Sequence, residues 1–461
     1  MDYALLKRRI RGAAIEVFDP EHRSLCEDLI WNGRKPALKP RYVVRAACVE
    51  DVQLAVRFAA ANGLTASPRG GGHHFTGIAL NADVVIDVGG LDHLHVDLPS
   101  ATAALGPGVT NTRLAAALDR QGLAFPVGHC ATVPLSGYLL GGGVGWNSGE
   151  WGIACFSVIG ADVVMADGEL VHVAEDNHPD ILWALRGAGP EFFGIVVNYR
   201  VRLQPAPKAI MTSVRVYPPS EARKVGEWAE LAMACAPAHL EFTVKISAPP
   251  PEANAPAGAF VLAAIATVFS KSERDAHQVL DAFFAKAPDG AVQSVDVMPT
   301  PFGALYDLTS VSTPKGKRYA VDTLWSDGSF SEILTTLAAH YGARPSLDSF
   351  ALAALYSPLA NRPGDAAFSR IGKAFASVYT IWDGEGDDEA NMSWLRQTMT
   401  ALEPLSTGTY VGESDLERSG RPVTPHSPSA ALKLAALKAR HDPQGLFQPR
   451  TGTLAAHSPA A

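Results

Sequence analysis

Long apolar runs are missing from this 461-residue chain. No stretch approaches the roughly 20 consecutive apolar residues that a membrane-crossing helix needs. The opening, MDYALLKRRIRGAAIEVFDPEH, is broken by charge before an apolar segment can form, so no secretory leader is expected. Cysteine is scarce: Cys26, Cys48, Cys130, Cys155 and Cys235 are an odd set with no CxxC spacing. That pattern suggests neither a disulfide framework nor a zinc knuckle, and no metal site is expected. A reducing cytoplasm is the expected compartment, which leaves at least one thiol free for other chemistry. An excess of positive charge is lacking too. The formal charge of −8 makes nucleic acid an unexpected partner. No solenoid period or sustained heptad is present.

What is there alternates. Over 1–205, short β-rich runs are interleaved with helical ones. YVVRAA (42–47) reads as a strand, and VEDVQLAVRFAAANG as a helix stopped by Gly63. DVVIDVGGL (83–91) reads as a buried strand, and TRLAAALDRQG as a helix. IGADVVMADGELVHVA (159–174) reads as a hairpin turning on Asp167-Gly168, and FFGIVVNYRVRLQP (192–205) as one long strand stopped by Pro205. Beyond LQPAPKAI the pattern changes to strands of a second sheet with covering helices. These include MTSVRVYPP, HLEFTVKIS, KRYAVDTLWSDG and AFASVYTIWDG, with SERDAHQVLDAFFAKA and DDEANMSWLRQTMTALEP as helices. The Pro/Ala stretch 249–258 reads as a loop, and the tail 453–461 as disordered.

Glycine is concentrated in three turns of the first half: PRGGGHHFTG, LLGGGVGW and RGAGPEFFG. Glycine lets backbone N–H groups approach a phosphate closely. None of the three is the G-x-G-x-x-G of a nicotinamide fold, since GGGVGW lacks the sixth-position glycine. Three such turns in one region favour a large phosphate-bearing cofactor.

The ordered set PRGGGHHFTG, VVIDVGGL, ALGPGVT, GHCATVPLSGYLLGGGVGWNSGEWGIACFS, RGAGPEFFGIVV and ARHDPQGLF resembles the flavoprotein oxidases of the vanillyl-alcohol oxidase superfamily. Within that superfamily it is similar to the berberine-bridge-enzyme-like group, which also holds glucooligosaccharide oxidases. The resemblance implies an α+β fold. A two-part FAD-binding domain of the PCMH type would span 1–205, and an α+β substrate domain, an antiparallel sheet covered by helices, would span 206–425. Residues 426–461 would return to the first domain. It implies FAD bonded through its 8α carbon to the histidine after Arg-x-Gly-Gly, here His73. In bicovalent members a cysteine also bonds C6; WGIAC places it at Cys155, with Cys130 of GHCATVP as the rival. Two such bonds would raise the flavin's potential and keep it in an open cleft. Arg69, Gly70, Gly71, Gly72 and His74 belong to the loop that would wrap the diphosphate. The stretch 132–146, with Thr132, Val133, Ser136, Gly137, Gly141, Gly142, Gly143, Gly145 and Trp146, would also contact FAD. Ile195 and Val197 would reach its adenine or ribose side. Pro134 and Glu191 stand where relatives often carry glycine.

On the substrate side, a flavin oxidase acting on an alcohol needs a base for the hydroxyl proton. The segment that carries it in relatives reads TYVGESD here (409–415), which makes Tyr410 and Glu413 the candidates. If that segment is extended, alternation puts Tyr410 and Gly412 on one face and Val411 and Glu413 on the other, so only one candidate would see the ring. Tyr319, Asp322, Arg370 and Tyr379 are the candidate pocket residues. The expected activity is oxidation of a small alcohol, a sugar hydroxyl or a C–N/C–H centre of a secondary metabolite. Dioxygen would take the electrons and give peroxide. A dehydrogenase using another acceptor, and a flavin carrier without turnover, are the alternatives.

Overall fold

The computed structural model describes the chain apart from residues 38, 250–255, 257, 362–363, 423 and 448–461. Most of the Pro/Ala stretch and the C-terminal tail therefore lie outside the described residues. The fold is α+β.

Three sheets organise it. The first contains β1 (Ala13–Glu16), β2 (Tyr42–Arg45), β3 (Ala66–Arg69) and β4 (Val84–Asp87), in the order β1-β2-β4-β3. Its β2, β4 and β3 are parallel. Helix Val49–Ala61 supplies the crossover that a parallel pair requires, burying Val52, Ala55, Val56 and Ala59 on the sheet. The second sheet is antiparallel: β5 (Leu94–Asp97), β6 (Thr102–Leu105), β10 (Ile195–Arg202), β8 (Val158–Val164) and β9 (Leu170–Ala174), in that spatial order. Gly168, at φ +78°, turns the β8–β9 hairpin as its sequence suggests. A short pair joins β7 (Leu123–Ala124) to β11 (Gln204–Pro205). The run 192–205 is therefore not one strand. Pairing with β8 ends at Val201, and the Leu203 N–H turns to Ala101 O (2.8 Å) before β11 pairs elsewhere.

The third sheet has seven antiparallel strands in the order β15-β12-β14-β13-β17-β18-β16. These are β12 (Ala209–Tyr217), β13 (Leu240–Ser247), β14 (Val261–Ser270), β15 (Gln293–Pro299), β16 (Arg318–Ser326), β17 (Phe350–Leu355) and β18 (Ala374–Trp382). Period-2 alternation gives each strand two faces. On β13, Leu240, Phe242, Val244 and Ile246 face helices Ala222–Met233, Glu273–Phe284, Phe330–Tyr341 and Asp388–Leu402 in one apolar core. Ser272 and Ser329 cap two of those helices by accepting the N–H of Asp275 and Glu332. The other face, with Glu241, Thr243 and Lys245, looks toward the first two sheets. Helix Pro428–His441 then carries the chain back, burying Leu434 and Leu437 against the second sheet, and Leu446 accepts from the Ala66 N–H (2.8 Å). Among the described residues no helix is long and apolar enough to cross a membrane.

Candidate active site

The loop after β3 is shaped by Arg69. Its guanidinium donates to the carbonyls of Leu29 (3.0 Å), Gly70 (3.3 Å) and Gly71 (3.1 Å) and pairs with Asp87 (3.1 Å). Pulling two glycine carbonyls one way leaves the N–H groups of Gly70, Gly71, Gly72 and His73 without a protein acceptor among the described residues. A run of free N–H donors is an anion cradle. Gly72 sits at φ +65°, and a Cβ there would lie 1.8 Å from Leu29 O, so no other residue fits. The second glycine-rich stretch packs directly on the first: a Cβ on Gly71 would meet Pro134 at 2.4 Å, and one on Gly70 would meet Ser136 at 3.3 Å. Gly141 approaches Gly412, and Gly142, at φ +116°, lies against the ring of Phe368. Loops 69–74, 132–145 and 409–415 thus converge. Their free donors and glycine-lined contacts suit a diphosphate and a flat ring system.

His73 stacks on Trp31 (5.3 Å between centroids, 23° between planes), and its Nε2 lies 3.4 Å from Thr132 Oγ1. Burial and the Arg69 charge hold its pKa down at about 4, so the ring is neutral and nucleophilic at pH 7. His74 is tied into the neighbouring segments by hydrogen bonds. Its Nδ1 accepts from Thr76 N, so Nε2 carries the proton and donates to Val411 O (3.1 Å). Trp146 packs edge-on to His129 at 4.1 Å, and its indole N–H is buried without an acceptor among the described residues. Val133 is half-buried against the second sheet's core, and Gly145 closes under the Tyr138 hydroxyl.

The two cysteines are placed differently. Cys155 is 0% exposed among Ile153, Trp325, Phe368, Phe375 and Tyr410, and burial pushes its thiol pKa up. A sulfur without accessible surface bonds no ring unless those side chains move. Cys130 is half-exposed, with Sγ 3.7 Å from Thr132 Oγ1, the same hydroxyl that touches His73. Burial raises the pKa values of Tyr306, Tyr319 and Tyr379, and Cys130 lies near enough to add to each shift. The geometry therefore replaces Cys155 by Cys130 as the sulfur beside His73. The side chains of Ile195 and Val197 also depart from expectation. At 0% and 1% exposure they belong to the core under helix Val49–Ala61 and face no ligand surface.

Across from the His73 loop stands the free face of the seven-stranded sheet. Asn32 joins the two: its amide N–H₂ donates to Phe75 O (2.7 Å) and Tyr319 O (2.8 Å), and its Oδ1 accepts from Tyr319 N (2.9 Å). Phe75 meets Tyr379 edge-on at 6.0 Å, and Tyr379 stacks on Phe350 at 4.5 Å. The Tyr379 hydroxyl donates to Glu413 Oε2 at 2.8 Å. Burial pushes the Glu413 pKa up, and the Tyr379 hydrogen bond works against that shift. Segment 409–415 is not extended. Residues Val411–Glu413 form a 3-10 turn in which Glu413 N donates to Tyr410 O (3.1 Å), and the Tyr410 ring folds over Gly412. Tyr410 and Glu413 are consequently gathered around one turn rather than set on opposite faces of a strand. The Tyr410 hydroxyl lies beside the N–H groups of Gly143 and Val144, and burial keeps it protonated.

Three pocket candidates are committed elsewhere. The Tyr319 hydroxyl donates to Pro314 O, although its ring lines the same wall as Trp31 and Phe75. The Arg370 guanidinium donates to the carbonyls of Thr407 and His426. Asp322 alternates out of register with Tyr319 and Val321, so it points to the helix side with Ala320 and Leu324. There it pairs with Arg421 at 2.5 Å. Asp322→Asn should therefore leave ligand binding unchanged and lower stability by about 3 kcal/mol, the cost of an orphaned buried cation. A urea midpoint with unchanged slope reads this.

Sequence reasoning missed Trp31, Phe75, Phe350 and the charged residues of β13. The last had a signal: LEFTVKIS alternates, with Glu241 and Lys245 on the polar face of the strand. Glu241 lies beside the N–H groups of Asn147 and Ser148, and burial raises its pKa to about 8 against their pull. A carboxyl raised by folding is held protonated, so its favourable share is complete below the ordinary carboxylate pKa and is lost as pH climbs through about 8. Glu241→Gln should be near neutral at pH 5. At pH 9 it should stabilise by on the order of 2 kcal/mol, read as a rise in melting temperature.

Comparison with known proteins agrees with this geometry. The FAD binding domain family matches residues 40–174. The FAD-linked oxidoreductase ptmO of Penicillium ochrochloron is 30% identical over 386 residues, covering 83% of this chain and 84% of its own. The crystal structure of 6-hydroxy-D-nicotine oxidase from Arthrobacter nicotinovorans superposes with a TM-score of 0.82 at 22% identity, over 95% of this chain and 96% of that one. Berberine bridge enzyme from Eschscholzia californica also gives 0.82, at 19% identity over 98% of both chains. The shared fold is thus that of flavin-dependent enzymes.

Proposed function

The chain belongs to the FAD-linked oxidoreductases, and from that premise we propose that it is an oxidase with FAD tethered through His73 and Cys130. The proposed donor is a small alcohol, sugar or secondary metabolite, and dioxygen is the proposed electron acceptor. One observation carries the reading: a half-buried carboxyl, Glu413, hydrogen-bonded to Tyr379, faces the loop that presents His73 and a run of free N–H donors.

Each residue has a part that its surroundings support. The N–H groups of 70–73 would hold the diphosphate, and Ser136 and Gly137 lie against the same loop. His73 is neutral, and Cys130 reaches the same hydroxyl, so the two would fix the ring from one side. FAD, when bound, supplies a two-electron acceptor. Glu413 would take the proton from the donor's hydroxyl or amine, and Tyr379 would aim its carboxylate. Tyr410, kept protonated and set against the backbone of Gly143 and Val144, would close the cavity as a hydrogen-bond donor. The proposed boundaries are 1–205 for the FAD-binding domain, 206–425 for the substrate domain and 426–461 for the returning segment. Five unpaired cysteines fit a cytoplasmic setting.

The test is a panel of alcohols, sugars and amines, read by oxygen uptake and peroxide. Peroxide formed one-to-one with oxidised product is expected. Turnover with an artificial acceptor but no oxygen uptake would make the protein a dehydrogenase. A yellow protein inert to the panel under both acceptors would make it a carrier.

A further inference from the structure

Lys245 lies on the face of β13 turned away from the helices, two residues beyond Thr243 and four beyond Glu241, while Val244 and Ile246 face the helices. Its Nζ donates to Ser312 Oγ at 2.6 Å, just past helix Phe302–Ser310. Among the described residues no carboxylate lies within ion-pair distance of it. An ammonium has three donors, and only one is engaged. A half-buried lysine with neither counter-ion nor full hydration is costly, and burial lowers its pKa with no opposing acid.

The group is also joined to the reacting end of the cavity. Lys245 Nζ sits 5.0 Å from the Phe350 ring centroid, Phe350 stacks on Tyr379 at 4.5 Å, and Tyr379 holds Glu413 at 2.8 Å. In register, Lys245 pairs with Leu352 and Leu352 with Ser377. The Ser377 hydroxyl, on the same face, is buried without a partner among the described residues. This face of the sheet thus carries an acid and two tyrosines at one end, packed aromatic rings in between, and at the other end a lysine with no carboxylate partner among the described residues. Two inter-strand spacings separate the ends, roughly 10 Å.

We propose that Lys245 forms an anion subsite, so that the donor oxidised here carries a carboxylate at the end remote from Glu413. This rests on the reading of the cavity as the donor site. An ammonium that merely stapled the segment around Ser312 to the sheet would show no preference between an acid and its amide.

The holoenzyme is titrated calorimetrically with 4-phenylbutyrate and with 4-phenylbutyramide, which differ only in charge at the terminal group. Wild type should bind the acid at least ten-fold more tightly than the amide. Lys245→Met should bring the two within two-fold, Lys245→Arg should keep the preference, and Ser312→Ala should keep it too. Equal binding of acid and amide by wild type, no binding of the acid, or a preference that survives in Lys245→Met overturns the proposal. Should Lys245→Met fail to fold, Lys245→Gln replaces it under the same criterion. The wider reading fails separately: a protein without flavin absorbance loses the oxidoreductase assignment, whereas a yellow, peroxide-forming enzyme indifferent to charge loses the subsite alone.

Discussion

The double variant His73→Ala/Cys130→Ala should give a colourless pellet on acid precipitation, with all flavin in the supernatant. Each single variant should still pellet yellow, because one bond remains. The expectation follows from three placements. His73 is held neutral, so its ring nitrogen is free to bond at pH 7. Cys130 is half-exposed and shares the Thr132 hydroxyl with His73. Cys155 is sealed in an apolar cluster with its thiol pKa pushed up, and a thiol must ionise to act as a nucleophile. Cys155→Ala should therefore pellet as wild type does and lose only packing, about 1 kcal/mol. Mass spectrometry of the denatured chains gives the same answer without colour. A chain that keeps its flavin in His73→Ala/Cys130→Ala and releases it in His73→Ala/Cys155→Ala would restore Cys155 as the second tether.

That contrast shows where the sequence stops being legible. Arg69, the glycines after it and His73 were readable because their chemistry is local: a guanidinium orders the carbonyls of its own loop, and the N–H groups follow. The helix over 49–63 and the β8–β9 hairpin were readable for the same reason, through periodicity and an Asp-Gly turn. The choice between Cys130 and Cys155 was not readable. One precedes the GGGVG stretch and the other follows it, and only tertiary packing decides which sulfur meets His73. Asp322 was misplaced by a single residue of alternation. Its neighbours Val321 and Thr323 face the cavity, and no local signal says which parity β16 takes until Ala320 and Leu324 are seen against the helices. Segment 409–415 misled differently. Period-2 reasoning presumes an extended chain, but Ser414 donates to Tyr410 O (2.8 Å) and closes a turn, which gathers Tyr410 and Glu413 around it. Ile195 and Val197 were assigned through the family resemblance, yet β10 runs between two cores and spends both side chains in one of them.

Glu413→Gln should lower kcat/KM for the donor found in the peroxide screen on the order of 10³-fold, within the range for loss of a positioned general base. Glutamine keeps the size of the side chain and can still accept from Tyr379, so flavin content and melting temperature should stay close to wild type. The pH dependence identifies the group. A base works when ionised, so activity should rise as pH passes upward through the Glu413 pKa, which burial sets above the ordinary carboxylate range. Tyr379→Phe removes the one hydrogen bond that favours the carboxylate. The acid limb should then move to higher pH, with a smaller loss at the plateau than in Glu413→Gln, because the base remains but is less well aimed. In Glu413→Gln the limb itself should vanish. A rate for Glu413→Gln within three-fold of wild type, alongside a large loss in Tyr410→Phe, would transfer the proton to Tyr410. That transfer is disfavoured because burial and the Glu413 charge both hold the Tyr410 phenol protonated, whereas the Tyr379 hydrogen bond favours the ionised form of Glu413.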